Sequence, residues 1–103
     1  MANSYPIELS SLALGNIFRE ERKKLGGISQ EQLADLMHIS GDHLGRVECG
    51  SENFSFPAFY NFIYITHSSA DIILSRALAD SGITLTPYVL PQISTTVRIP
   101  MKF

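Results

Sequence analysis

Residues 29–50, SQEQLADLMHISGDHLGRVECG, constrain the fold more than any other stretch, because they read as two short helices joined by a tight turn. Ser29 can cap the first helix and Gln32 can reach back to it, the Ser-x-x-Gln form of the capping box, which starts that helix at Gln30. Leu33, Ala34, Leu36 and Met37 recur at helical spacing, and Ile39 falls where the chain must turn inward. Ser40 is the next cap. From Gly41 the pattern resumes with Leu44 and Val47 inward, while Asp42, His43, Arg46 and Cys49 point elsewhere, and Gly50 supplies the left-handed residue after the last turn.

The rest of the chain divides around this unit. Residues 1–9 show no period and read as an N-terminal arm. Residues 10–80 form the helical domain. Ser10 or Ser11 caps a first helix whose apolar stripe is Leu14, Ile17 and Phe18, with the charge run from Glu20 to Lys24 on the solvated side, and Gly26-Gly27 ends it. After a polar loop, helical spacing assigns Phe56, Phe59, Phe62 and Ile63 to the core, leaving Tyr60 and Tyr64 on a neighbouring face as a partner surface or as half-buried rings with wet hydroxyls. Ser69 caps a last helix that is apolar around most of its circumference, so part of that surface, Ile72 included, is expected to meet a second subunit. Residues 81–103 alternate in places, at Ile83–Thr86 and at Ile93–Ile99, and carry Pro87, Pro91 and Pro100; they read as short edge strands, either a dimer arm or a ribbon folded back on its own subunit.

Composition sets the outer limits. A chain of 103 residues with 45% hydrophobic and 17% charged side chains supports one globular core. One cysteine makes no internal disulfide, no secretion signal is read at the start, and no apolar run nears the length that spans a bilayer, so the expectation is a cytoplasmic protein with no membrane role. His38, His43 and His67 are scattered without metal spacing, and Cys49 has no base nearby in sequence; the expectation is no enzyme, no metal and no cofactor. Eight basic residues against ten acidic give a net charge of -2, a thin basis for a nucleic-acid surface.

The order Ser29-Gln30-Glu31, Leu33-Ala34, Ile39-Ser40, then Leu44, Val47-Glu48 and Gly50 resembles the phage-repressor-like helix-turn-helix regulators, also called the Cro/C1 or xenobiotic-response-element type. Arg22, Lys23 and Lys24 look like the basic end of that family's first helix. Asn53, Ser55, Phe56 and Pro57 look like the start of its fourth, and Ser69, Ala70, Asp71, Ile73 and Leu74 like its fifth, so the likeness covers roughly residues 12–76. It implies an all-α, five-helix lambda-repressor-like DNA-binding domain, from which the C-terminal extension of short β-strands read above departs. It also implies an ion pair between Arg22 and Glu48 tying the first helix to the third.

By the same resemblance, Gln30 and Ser40 become phosphate contacts, Gly41, Asp42, His43 and Arg46 take the base-reading positions of the third helix, and Ser51 and Asn53 lie on the contacting loop. Arg46 is the strongest reader, since an arginine can grip guanine O6 and N7 with two donors. Gly41 offers no side chain and Gly45 weakens the helix. Two functions follow from this. One is a dimeric, sequence-specific transcriptional regulator on a short inverted repeat of double-stranded DNA. The other is a protein-interaction module on the same fold, an antitoxin-like or anti-repressor-like partner, which the acidic balance and the weak reading helix favour.

Overall fold

Five serines start five helices. Ser10, Ser29, Ser40, Ser55 and Ser69 each hold an extended backbone and accept a hydrogen bond from the amide three residues on, at 3.0–3.2 Å. A serine oxygen there satisfies one of the amides that a helix start leaves without an intrahelical partner. The computed structural model describes residues 6–83. Its helices are α1 (Ser11–Lys24), α2 (Gln30–Met37), α3 (Gly41–Glu48), α4 (Phe56–Thr66) and α5 (Ala70–Asp80). The expected strands over residues 84–103 and the start of the N-terminal arm lie outside the described residues.

The capping box of α2 closes in both directions, with Gln32 Oε1 accepting from the Ser29 amide at 2.8 Å. α1 ends at Lys24 before Gly26 and Gly27, both with positive φ. Two helices end instead on left-handed histidines, His38 (φ 60°) and His67 (φ 56°), positions with no glycine to mark them in the sequence. α1 packs on α3 and α5, and α2 packs on α3 and α4. Between them lies a core of Ile17, Phe18, Leu33, Ala34, Met37, Leu44, Val47, Phe62, Ile73 and Ala77.

Gly15 sets how close α1 comes to α3. A Cβ at that position would fall 2.5 Å from the carbonyl oxygens of both Val47 and Glu48, so the two backbones touch where only hydrogen fits. At the start of α1 the Ser10 amide donates to Ser81 Oγ at 2.8 Å, fastening it to the end of α5. Arg76 on α5 adds a surface pair with Glu20 at 2.6 Å.

Three expectations need correction. Phe56 is not in the core but 73% exposed. Phe54, in the loop, takes the contact with Phe18 (ring centroids 4.8 Å apart) and sits 5.6 Å from Phe62, so Phe56 stands outside and meets Tyr60 edge-on at 5.3 Å. Leu36 is 57% exposed, because α2 buries only its Leu33–Ala34–Met37 side against its neighbours. The charge run of α1 is not uniformly wet either: Arg22 is buried, and Glu21 is half-buried beneath bonds from Ser68 Oγ and Lys24 Nζ, at 2.9 and 3.0 Å. The hydrogen bonds offset the cost of burial, and the Glu21 carboxyl lies below its ordinary pKa.

Candidate nucleic-acid interface

α2 and α3 are held at a fixed angle by what lies beneath them. Glu48, at the end of α3, has no exposed surface, and a buried carboxylate needs partners in place of water. Arg22 of α1 supplies two, Nε to Oε2 at 2.7 Å and NH2 to Oε1 at 3.0 Å, and its NH1 donates to the Ile28 carbonyl at 2.7 Å. Gln30 at the start of α2 gives a third donor, Nε2 to Oε1 at 2.9 Å, and Arg19 lies 3.6 Å away. One carboxylate therefore joins α1, α2 and α3. Burial pushes the Glu48 pKa up, but the bonds from Arg22 and Gln30 outweigh it and the carboxyl ends below its usual range.

On the outer side, the turn runs through left-handed His38, the Ile39 amide donates to the Ala34 carbonyl at 3.0 Å, and Ser40 opens α3. Gly41 is half-buried close to Glu31, whose Cγ would stand 3.3 Å from a Cβ there. Asp42 is exposed in the first turn. His43 and Arg46, one helical turn apart, keep 29% and 49% of their side-chain surface open. Gly45 lies on the side of α3 nearest Gln30, 3.4 Å from Oε1 as a Cβ would measure it.

The residue that sequence reasoning missed is Glu52. Its Oε1 lies 2.6 Å from His43 Nδ1, and its Oε2 accepts from Arg46 Nε at 2.7 Å. The loop is folded back to make this possible. Gly50 turns left-handed at φ 89°, and the amides of Ser51 and Glu52 both donate to the Arg46 carbonyl, at 2.9 and 3.2 Å, with Ser51 Oγ adding a third bond at 3.2 Å. The bonds from His43 and Arg46 hold the Glu52 carboxyl below its ordinary pKa. Ser51 also bonds the exposed thiol of Cys49, whose pKa is lowered chiefly by that contact. Nothing in residues 50–54 marks Glu52 as a partner of α3; only the acidic character of a loop otherwise expected to meet phosphate could have drawn attention to it.

The expected contact residues fall into separate groups. Gln30 has one amide hydrogen committed to Glu48; Ser40 Oγ is committed to the His43 amide; Ser51 points its hydroxyl at Arg46. Asn53 is exposed and lines an apolar groove of about 290 Å³ with Leu14, Phe18, Phe54, Phe56, Phe59 and Leu74. Tyr60 (53% exposed), Tyr64 (78%) and Ile72 (58%) lie on α4 and α5, on elements distinct from α3. Among the described residues no three His, Cys, Asp or Glu side chains gather in a way that could hold a metal, and no helix is long and apolar enough to cross a membrane.

The fold is similar to that of solved structures of regulators. The clp gene regulator ClgR from C. glutamicum aligns at 26% identity with a TM-score of 0.63, over 76% of this chain and 97% of that one. A second ClgR structure, at 23% identity and a TM-score of 0.65 over 75% and 81% of the two chains, shares the fold. The restriction-modification controller protein C.AhdI from Aeromonas hydrophila aligns at 27% identity with a TM-score of 0.56, over 61% of this chain and 94% of that one. No family model and no curated protein matches the chain.

Proposed function

We propose that this helix-turn-helix protein of the phage-repressor-like, Cro/C1 type is a regulator that binds double-stranded DNA as a homodimer and reads a short inverted repeat. The observation that carries the reading is the outer face of α3, where Arg46 and His43 stand one turn apart with open side chains. α2 and α3 begin at Gln30 and Gly41, and helix N-termini favour phosphate. ClgR and C.AhdI, both regulators by name, support the same class.

In this reading Arg46 supplies guanine recognition, and His43 and Asp42 meet the adjoining base edges. Gln30, Ser40, Ser51 and Asn53 set the register on the backbone, and Gly41 opens the base-reading face of α3. A second copy places its α3 in the next major-groove turn, about 10 bp away. The exposed line Phe56, Tyr60 and Tyr64 along α4, with Ile72 and Leu74 on α5, offers the apolar surface a dimer needs.

The test is selection of the purified protein on a randomised duplex library, followed by titration of the enriched site against salt. A two-fold-symmetric site is expected, with guanine at the position facing Arg46. Arg46→Ala should lose about 1–3 kcal/mol of discrimination at that base and keep its unfolding transition. If no site is enriched at low salt by folded protein, DNA reading is wrong. The reading that the acidic balance favours, eight basic residues against ten acidic, would then take its place, a protein-interaction module on the same fold.

A further inference from the structure

We infer that Glu52 is a specificity-determining positioning residue, a carboxylate that holds Arg46 and His43 as one rigid reading unit rather than touching DNA itself. This rests on the DNA-reading function proposed above. His43 and Arg46 are three apart on α3, so they share a face, and one loop carboxylate reaches both with separate oxygens at 2.6 and 2.7 Å. The loop is itself anchored. Its amides at Ser51 and Glu52 close on the Arg46 carbonyl, and two residues further Phe54 lies 4.8 Å from Phe18 in the core and 6.3 Å from the His43 ring.

The atoms that Glu52 uses decide which atoms remain. It takes Arg46 through Nε, and among the described residues no partner meets the edge formed by the two terminal nitrogens. That edge carries the paired donors that match guanine O6 and N7. It takes His43 through Nδ1; with the proton on that nitrogen the neutral ring keeps Nε2 as an acceptor, suited to the exocyclic amino group of adenine or cytosine. The charge count fits the same role. Glu52 cancels the cation of Arg46, so the pair adds little attraction to phosphate at arbitrary sequence, and its contribution is confined to the base it faces. An arginine left loose on a helix would instead find phosphate in many rotamers.

The experiment compares the wild type, Glu52→Ala, Glu52→Gln and Arg46→Ala on the selected site and on the same duplex with the guanine facing Arg46 replaced. Urea unfolding of each variant is run alongside. Wild type is expected to prefer the guanine site by tenfold or more, Glu52→Ala to lose most of that preference while binding arbitrary duplex as well or better, and Glu52→Gln to keep part of it. In the free protein, the Arg46 Nε–H resonance should be resolved in the wild type and collapse into the solvent-averaged arginine signal in Glu52→Ala. A Glu52→Ala protein that keeps the full guanine preference overturns the inference. So does an equal gain in affinity for both duplexes, which would make Glu52 a mask on the reading face. Failure of the wild type to select any site removes the function on which the inference stands, whereas an Arg46 resonance unmoved by Glu52→Ala removes the inference alone.

Discussion

Replacing Arg22 and Glu48 by apolar residues tests whether the buried ion pair holds the domain together or merely occupies its centre. In Arg22→Met, Glu48 keeps the Gln30 amide at 2.9 Å and the half-exposed Arg19 at 3.6 Å, but loses both guanidinium bonds, and its side chain has no path to water. Breaking one side of such a pair commonly costs about 3–5 kcal/mol, and the partial cover from Gln30 and Arg19 puts the expected loss near 3 kcal/mol. For a domain of this size each kcal/mol lowers the melting temperature by roughly 4–8 °C. Glu48→Leu leaves the Arg22 guanidinium with the Ile28 carbonyl at 2.7 Å and no counter-charge, with a similar loss. The double variant strands neither charge. It should be more stable than either single, with a coupling energy of about 2 kcal/mol or more in a urea cycle.

The pH arm has a definite sign. The Glu48 carboxyl lies below its usual range in the folded protein, so between that lowered value and about 4.3 the unfolded chain binds more protons. Its stabilisation is present above that window and lost as pH falls through it. Glu21 and Glu52 are lowered as well, so the double variant should flatten the acid slope without abolishing it. Single-variant losses that add to the double-variant loss within about 0.5 kcal/mol would refute the account of Glu48 as a carboxylate that depends on its cation.

Two further outcomes follow from the packing. Gly15→Ala drives a methyl into the Val47 and Glu48 carbonyls at 2.5 Å, so α1 must shift off α3; a loss of about 1–3 kcal/mol is expected in urea unfolding, against a gain if the site were an ordinary helix position. If the α4 line forms the dimer contact, Tyr60→Asp with Tyr64→Asp should shift the protein to monomer in sedimentation and weaken binding to the full inverted repeat far more than to a half-site, while the unfolding midpoint of the monomer stays in place.

What the sequence determined alone is what depends on neighbours within about four residues. Serine caps, the reciprocal bonds of Ser29 and Gln32, the buried spacing of Leu33, Ala34 and Met37, and the left-handed Gly50 are all local geometry, and local geometry is written in consecutive residues. The tie between Arg22 and Glu48 spans 26 positions and was reached only through family resemblance, since no periodicity joins them. Tertiary structure decided the rest, because it depends on which side chains the path of the chain brings to a shared space. Phe54 rather than Phe56 fills the gap over Phe18, a choice made by the loop path and invisible to helical spacing. Gly15 became a contact point only when α3 was laid across it. Glu52, an acid in a loop expected to meet phosphate, became the partner of His43 and Arg46 because the chain beyond Gly50 turns back on the helix it has just left.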